Sequence, residues 1–472
     1  MARAYRSFRA LLREVMDADG ILEGDAAGRY TVDFWGQHRG RAALVVRPRS
    51  TAEVAHIVKA ANRLRIPLVP QGGNTGLVAG GIPDPSGEMV VLSLERMNRI
   101  REVDPAGDFL VCEAGCVLSD VQRRAEAIGR LFPLHLGAEG SCRIGGNLAT
   151  NAGGIHVLRY GMMRELVLGL EVVLADGRIW DGLRALRKDN TGYDLKQLFI
   201  GSEGTLGVIT AAVLRLWPRL HERVTAWLGV RDLTRAVEIV QRLREACDAL
   251  LIAVEFMSGA GVELALRHLP GAAAPLARPV PWHLLVELAW PFAEGLRPKF
   301  EALLEELWSR ELILDGTLAD SEAARARLWR LREDHSDAAR REGVIARFDV
   351  SVPPGRVPEL VARVSRGIAD WDPRPLPIPF GHLGDGNVHY NFVLPEGFPD
   401  QLRHALAQLV FDRVAACGGS FAAEHGIGRI KVEELARRRS SVELELFRRI
   451  KRALDPQGIL NPGVILPAPR DP

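Results

Sequence analysis

Apolar residues recur at helical spacing at Val54, Ile57, Val58, Ala61 and Leu64, and the run Ser50-Thr-Ala-Glu53 ahead of them has the form of a capping box. Residues 66–69 make an apolar strand run, a glycine-rich loop follows, and residues 89–93 supply another strand, so this stretch reads as an αβ unit. Residues 171–180 read as a hairpin turning at Asp176-Gly177. Near Trp217-Pro218 the glycine-rich pattern stops, and helices over 233–247 and 296–310 alternate with a strand over 282–288. A further helix is expected in 321–341, with Leu328 and Leu331 toward the core and Arg332 and Ser336, four apart, on another face. Residues 345–352 alternate as a strand that sets Arg347, Asp349 and Ser351 on its polar side. Stretches rich in alanine and proline at 270–281 and 372–379 read as loops, and no internal repeat is found.

At 472 residues the chain exceeds what one hydrophobic core usually spans, so two or more domains are expected, and 47% hydrophobic with 25% charged residues suits a large soluble enzyme. A formal net charge of +2 offers no field to attract nucleic acid, and the basic run 437–439 reads as a solvated helix face. The cysteines, Cys112, Cys116, Cys142, Cys247 and Cys417, are odd in number and lack a Cys-x-x-Cys pair, which fits unpaired thiols in a reducing compartment. No run of about 18 apolar residues offers a membrane span. The first residues lack an apolar signal core, and acids arrive by Glu14 and Asp17; the cytoplasm is the expected location, with a mitochondrial address open in a eukaryote.

Chemistry concentrates in two short stretches, 380–389 and 423–428, which gather three histidines and a glutamate among glycines. His382, His389 and Glu424 make a two-imidazole, one-carboxylate set suited to a divalent ion, zinc being the expected one, and His425 is then a spare imidazole. Seven positions separate His382 from His389, which would put them on opposite faces of an unbroken strand. The strand must therefore break, and Gly384-Asp385-Gly386-Asn387 has the turn chemistry to fold both rings toward one point. Glycine-rich loops also recur at 69–76, 140–154 and 201–210, the first of a composition that aims successive backbone N–H groups at an anion. None has the Gly-x-Gly-x-x-Gly or Gly-x-x-x-x-Gly-Lys-Ser/Thr spacing, which disfavours a Rossmann dinucleotide site and a P-loop.

With the segments 188–195 and 455–462, these loops and histidine stretches resemble the FAD-linked D-2-hydroxyacid dehydrogenases of the vanillyl-alcohol-oxidase flavoprotein superfamily. The likeness spans nearly the whole chain and is strongest to the branch acting on D-2-hydroxyglutarate, with D-lactate dehydrogenases and the D subunit of glycolate oxidase as close relatives. It implies an α+β architecture: a two-part, PCMH-type FAD-binding domain over 1–217, an inserted α+β substrate cap over 218–412, and a C-terminal segment over 413–472 completing the FAD and active site. It implies FAD contacts from Gln71, Gly72, Gly73, Asn74, Thr75 and Gly76, the pyrophosphate lying against Gly72 to Gly76, and from Ser141, Gly145, Gly146, Thr150, Gly153, Glu203, Gly207, Ile209 and Asn461. Asn74 stands where a covalent flavin link would need histidine, so the FAD is expected to be non-covalent.

The same resemblance places a metal at His382, His389 and Glu424, a catalytic base at His425, and the substrate at Arg332, Ser336, Arg347 and Asn391. Ser336 stands where threonine is usual and Arg347 where lysine is usual; arginine is longer and forked where lysine is a point charge, which bears on the distal half of the substrate. The implied reaction oxidises a D-2-hydroxyacid, D-2-hydroxyglutarate first, to the 2-oxo acid by hydride transfer to FAD. Electrons then pass to a separate acceptor such as electron-transfer flavoprotein, a quinone or a cytochrome, and a homodimer is open. Alternatives are a D-lactate dehydrogenase, a glycolate oxidase D-type subunit working in a complex, a flavin-binding protein without catalysis, and a non-redox transferase of the alkyl-glycerone-phosphate synthase type. The last has a run of histidines where this chain has Glu424 before His425.

Overall fold

The computed structural model describes residues 2–292 and 294–468, and the chain divides into two compact units. The first comprises Met1–Gly153, Gly161–Pro218 and His425–Pro472; the second comprises Gly154–Tyr160 and Arg219–Glu424.

In the first unit the helix Thr51–Leu64 begins at Ser50, whose hydroxyl accepts from the Glu53 N–H at 3.2 Å. The Glu53 carboxylate reaches back to the Arg49 N–H at 2.8 Å, one residue beyond the partner a capping box would use. Val54, Ile57, Val58 and Ala61 are buried in one core with strand residues Leu44, Leu68 and Val90. Those strands form a four-stranded sheet in the order Ile21–Leu22, Ala42–Val46, Met89–Ser93, Leu68–Gln71, the last three mutually parallel. A second, five-stranded sheet is antiparallel and contains the hairpin Val167–Val173 with Ile179–Gly182, turning through Asp176-Gly177 as its sequence indicates. The chain's last segment returns to the first sheet: the Asn461 N–H donates to the Leu68 carbonyl at 2.8 Å, and Lys451 Nζ donates to the Thr205 and Leu460 carbonyls.

The second unit is built on one antiparallel sheet in the order Asp315–Leu318, Glu222–Val230, Trp282–Trp290, Leu251–Ser258, Phe380–His382, Asn387–Leu394, Val344–Ser351, with Leu376–Pro377 also paired to Asn387–Leu394. Helices Leu233–Cys247 and Leu296–Ser309 form where the periodicity indicates. The helix Glu322–Glu333 is tied to one face of the sheet by residues at i, i+4 and i+7. Arg325 and the indole of Trp329 bond Glu287 at 3.3 and 2.7 Å, and Arg332 bonds Glu255. This helix does not run through to residue 341. It stops at Glu333, and a shorter helix, His335–Ala339, starts past Asp334, so Ser336 lies on a different helix from Arg332. The break lets Arg332 and His335 both pack on the Phe380 ring, at 4.8 and 4.7 Å.

Among the described residues no helix is long and apolar enough to cross a membrane. The basic run at 437–439 is paired, Arg437 and Arg438 with Glu434 and Arg439 with Glu443.

Candidate active site

Strands Phe380–His382 and Asn387–Leu394 form a tight antiparallel hairpin, with Phe380 opposite His389 and His382 opposite Asn387. The four intervening residues reverse the chain, so the odd spacing of the two histidines puts them on the same face, their rings 5.4 Å apart. Gly386 sits at φ +83°, where a Cβ would meet the Val352 carbonyl at 2.0 Å; only glycine closes this turn. The same face carries Asp349 opposite His389 and Arg347 opposite Asn391 from the strand Val344–Ser351, and Glu255 opposite His382 from Leu251–Ser258.

Glu424 completes the group from outside the sheet. Its N–H donates to Asp349 Oδ2 at 2.8 Å, which holds the residue in place. One carboxylate oxygen lies 3.9 Å from His382 Nε2 and the other 3.9 Å from His389 Nε2. These separations are too long for hydrogen bonds. Donor atoms each about 2.1 Å from a shared zinc stand roughly 3.4 Å apart in a tetrahedron and a few tenths more as the angle opens, so the spacing suits an ion between the groups. Asp349, His389 and Glu424 also present possible ligand atoms within 4.8 Å of one another. His425 follows directly in the chain, the first residue of the segment belonging to the other unit.

Behind His382 stands an acid. Glu255 is fully buried in mid-strand; its Oε1 lies 2.7 Å from His382 Nδ1, and its Oε2 accepts from Arg332 Nε at 2.7 Å with an Nη at 2.6 Å. Burial pushes the Glu255 carboxyl up, but the charges of His382 and Arg332 outweigh it and hold the group down at about 2. Burial likewise pushes the His382 imidazolium down, and the Glu255 carboxylate outweighs it, raising His382 to about 9. Glu424 is raised to about 7 by burial, opposed by His382 and reinforced by the neighbouring carboxylates Asp349, Asp385 and Glu255. A cation between the rings has to displace these protons. The donor set fits one: two imidazoles whose Nε2 atoms face a carboxylate, and a buried acid fixing one ring from behind.

In the first unit, the loop following Leu68–Gln71 meets the loop before the helix Ile144–Ala149 backbone to backbone. A Cβ on Gly73 would lie 2.2 Å from the Ser141 carbonyl, and one on Gly72 would lie 3.1 Å from the Gly146 nitrogen. Among the described residues no acceptor is bonded to the N–H groups of Gly73, Asn74, Thr75 or Gly76. Successive unpaired N–H groups in a glycine-rich turn make an anion cradle, and the fit to a pyrophosphate is good. Other residues implied for FAD contact serve the loops themselves. Gln71 donates to the Tyr30 and Gly81 carbonyls, Asn74 to the Val32 carbonyl, and Thr150 to the Gly146 carbonyl. Glu203, buried, accepts from the N–H groups of Ile427 and Gly428 at 2.8 Å each, and Asn461 donates to the Gly80 and Glu203 carbonyls. Gly145 closes on Ala114, Gly207 on Val172 and Phe199, and Ile209 is buried in the strand Val208–Arg215. Ser141 donates weakly to the Ala138 carbonyl, and Gly153 ends the segment before the chain passes into the second unit.

The structure thus brings His382, His389, Glu424, Arg332, Arg347 and Asn391 to one sheet face and its flanks, and sets Ser336 on the short helix beyond Asp334. Reading the sequence missed Glu255. The available signal was a lone acid inside the otherwise apolar run 250–257, since a buried carboxylate in a strand requires partners.

Residues 219–465 match the family model of the FAD linked oxidases, C-terminal domain, and residues 42–182 match that of the FAD binding domain. A protein of Oryza sativa subsp. japonica named probable D-2-hydroxyglutarate dehydrogenase, mitochondrial, is 38% identical over 452 residues, 96% of this chain and 80% of the relative. The D-2-hydroxyglutarate dehydrogenase, mitochondrial, of Bos taurus is 40% identical over 458 residues, 97% of this chain and 83% of the relative. Among solved structures, an alkyldihydroxyacetonephosphate synthase superposes with a TM-score of 0.75 at 17% identity, covering 97% of this chain and 84% of that one. p-Cresol methylhydroxylase does so with 0.74 at 17% identity, covering 99% and 98%. These two likenesses show a common fold.

Proposed function

The chain belongs to the FAD-linked oxidases, as an FAD-dependent oxidoreductase with a PCMH-type FAD-binding domain, and from that premise we propose that it oxidises D-2-hydroxyglutarate to the 2-oxo acid. The observation that carries this reading is the pair of imidazole Nε2 atoms facing the two oxygens of Glu424, on the sheet that also fixes Arg332.

His382, His389 and Glu424 would hold a divalent ion, zinc by its donor set, and Gly73 to Gly76 would cradle the pyrophosphate of a non-covalent FAD. When bound, the ion supplies a Lewis acid that eases deprotonation of an alcohol, and FAD supplies the acceptor for the hydride from C2. Arg332 presents its remaining N–H groups to the carboxylate beside the reacting carbon; a bidentate grip there fixes which face of C2 is oxidised. His425 accepts the hydroxyl proton at an imidazole nitrogen. A separate acceptor, an electron-transfer flavoprotein, a quinone or a cytochrome, would take up the electrons.

Arg347 favours a second carboxylate on the substrate. Burial, and then the like charge of Arg340, push its pKa down, with Asp337 opposing only in part, so this corner of the sheet stabilises an added anion. Asn391, its cross-strand partner, and Ser336 offer hydrogen bonds to that anion. The unpaired cysteines suit a reducing compartment, and we place the protein in the cytoplasm, although both relatives above carry "mitochondrial" in their names.

Anaerobic titration with D- and L-2-hydroxyacids, followed by flavin absorbance, tests this. D-2-Hydroxyglutarate is expected to bleach the flavin at lower concentration than D-lactate or glycolate, with the L-enantiomers inert. Preference for D-lactate would remove the second carboxylate from the account, and bleaching by L-acids would remove the assigned orientation.

A further inference from the structure

We propose that Glu255 is a positioning residue shared by a metal ligand and the substrate-binding arginine, setting with one carboxylate both the tautomer of His382 and the rotation of Arg332. This rests on the metal and substrate roles proposed above.

Glu255 sits mid-strand with neighbours on both sides, opposite Leu285 and His382, a place where an acid is retained only if both its oxygens are satisfied. They are, by different partners: Oε1 by His382 Nδ1 at 2.7 Å, Oε2 by Arg332 Nε at 2.7 Å and an Nη at 2.6 Å. A carboxylate can only accept here, so Nδ1 must carry the hydrogen, and the Nε2 lone pair is left for the side facing Glu424. On Arg332, the Phe380 ring 4.8 Å away fixes the plane of the guanidinium, and Glu255 fixes its rotation within that plane. The edge taken is Nε and Nη2. Among the described residues nothing is bonded to Nη1, so the opposite fork of the guanidinium is presented to a ligand.

The consequence is a coupling that neither partner shows alone. A glutamine at position 255 has one acceptor and one donor where the site needs two acceptors. If its oxygen serves Arg332, its NH2 faces Nδ1 and drives the hydrogen of His382 to Nε2, against the ion. If its oxygen serves His382, its NH2 meets the guanidinium and turns the fork away.

The test uses full-length, FAD-loaded protein. In Glu255→Gln, zinc affinity measured by chelator competition without substrate is expected to fall about 10- to 100-fold, and KM for D-2-hydroxyglutarate at saturating zinc is expected to rise, with flavin content unchanged. A purely structural role would lower yield and flavin content but leave the zinc affinity of the folded fraction where it was. Unchanged zinc affinity and KM overturn the inference and leave the metal reading standing; failure of the wild type to bind zinc overturns both. If the variant does not fold, the histidine nitrogen resonances of zinc-loaded wild-type protein decide. Protonated Nδ1 and metal-shifted Nε2 on His382 support the inference, and the reverse pattern overturns it.

Discussion

His425→Ala is expected to retain bound FAD and to slow flavin reduction by D-2-hydroxyglutarate roughly 10²- to 10⁴-fold in single-turnover mixing, the range a positioned general base typically contributes. The resemblance to the FAD-linked D-2-hydroxyacid dehydrogenases implies a catalytic base at His425. His382 is held from behind by Glu255, and His389 faces Asp349 on one side and Glu424 on the other, so neither ring has an uncommitted edge for a substrate proton. His425, next to Glu424 in the chain, is the remaining histidine of the two stretches. FAD binding should persist because the proposed pyrophosphate cradle at Gly73 to Gly76 is made of backbone N–H groups that this substitution leaves in place. Unchanged reduction in the variant would take His425 out of the chemistry.

His389→Ala is expected to have a comparable or larger effect through the ion. It removes one of the three proposed ligands and leaves Glu424 facing a single imidazole at 3.9 Å. Loss of a supporting residue behind a ligand typically costs about 10- to 100-fold in metal affinity, and loss of the ligand itself should exceed that. The variant should purify with bound flavin and little bound metal, as elemental analysis against FAD content would measure. Full metal occupancy together with full activity would show that His389 is no ligand.

Much of the site was legible because its chemistry is local. The turn residues between His382 and His389 predict a reversal, and the hairpin forms. The alternation in 345–352 puts Arg347 and Asp349 on one face, and the strand Val344–Ser351 keeps them there, opposite Asn391 and His389. The glycines of the first loop announce close backbone approach, and Gly73 lies against Ser141. What was not legible depends on register between distant strands. Glu255 lies 127 residues before His382, and nothing in the chain says which residue of one strand will stand opposite which of the other. The helix expected to carry both Arg332 and Ser336 fails for a related reason: the demand to bury Arg332 and His335 against Phe380 is tertiary, and it breaks the helix at Asp334 where periodicity alone would continue it.

The central proposal is that an ion held by His382, His389 and Glu424 assists the oxidation. Its most direct test is stopped-flow flavin reduction by D-2-hydroxyglutarate in protein stripped of metal by chelation, verified metal-free, and then reloaded with zinc. The expected result is a stripped protein that keeps its yellow colour, reduces at least about 10²-fold more slowly, as loss of several kcal/mol of Lewis-acid assistance implies, and recovers on reloading. Full-speed reduction in the verified metal-free protein would contradict it.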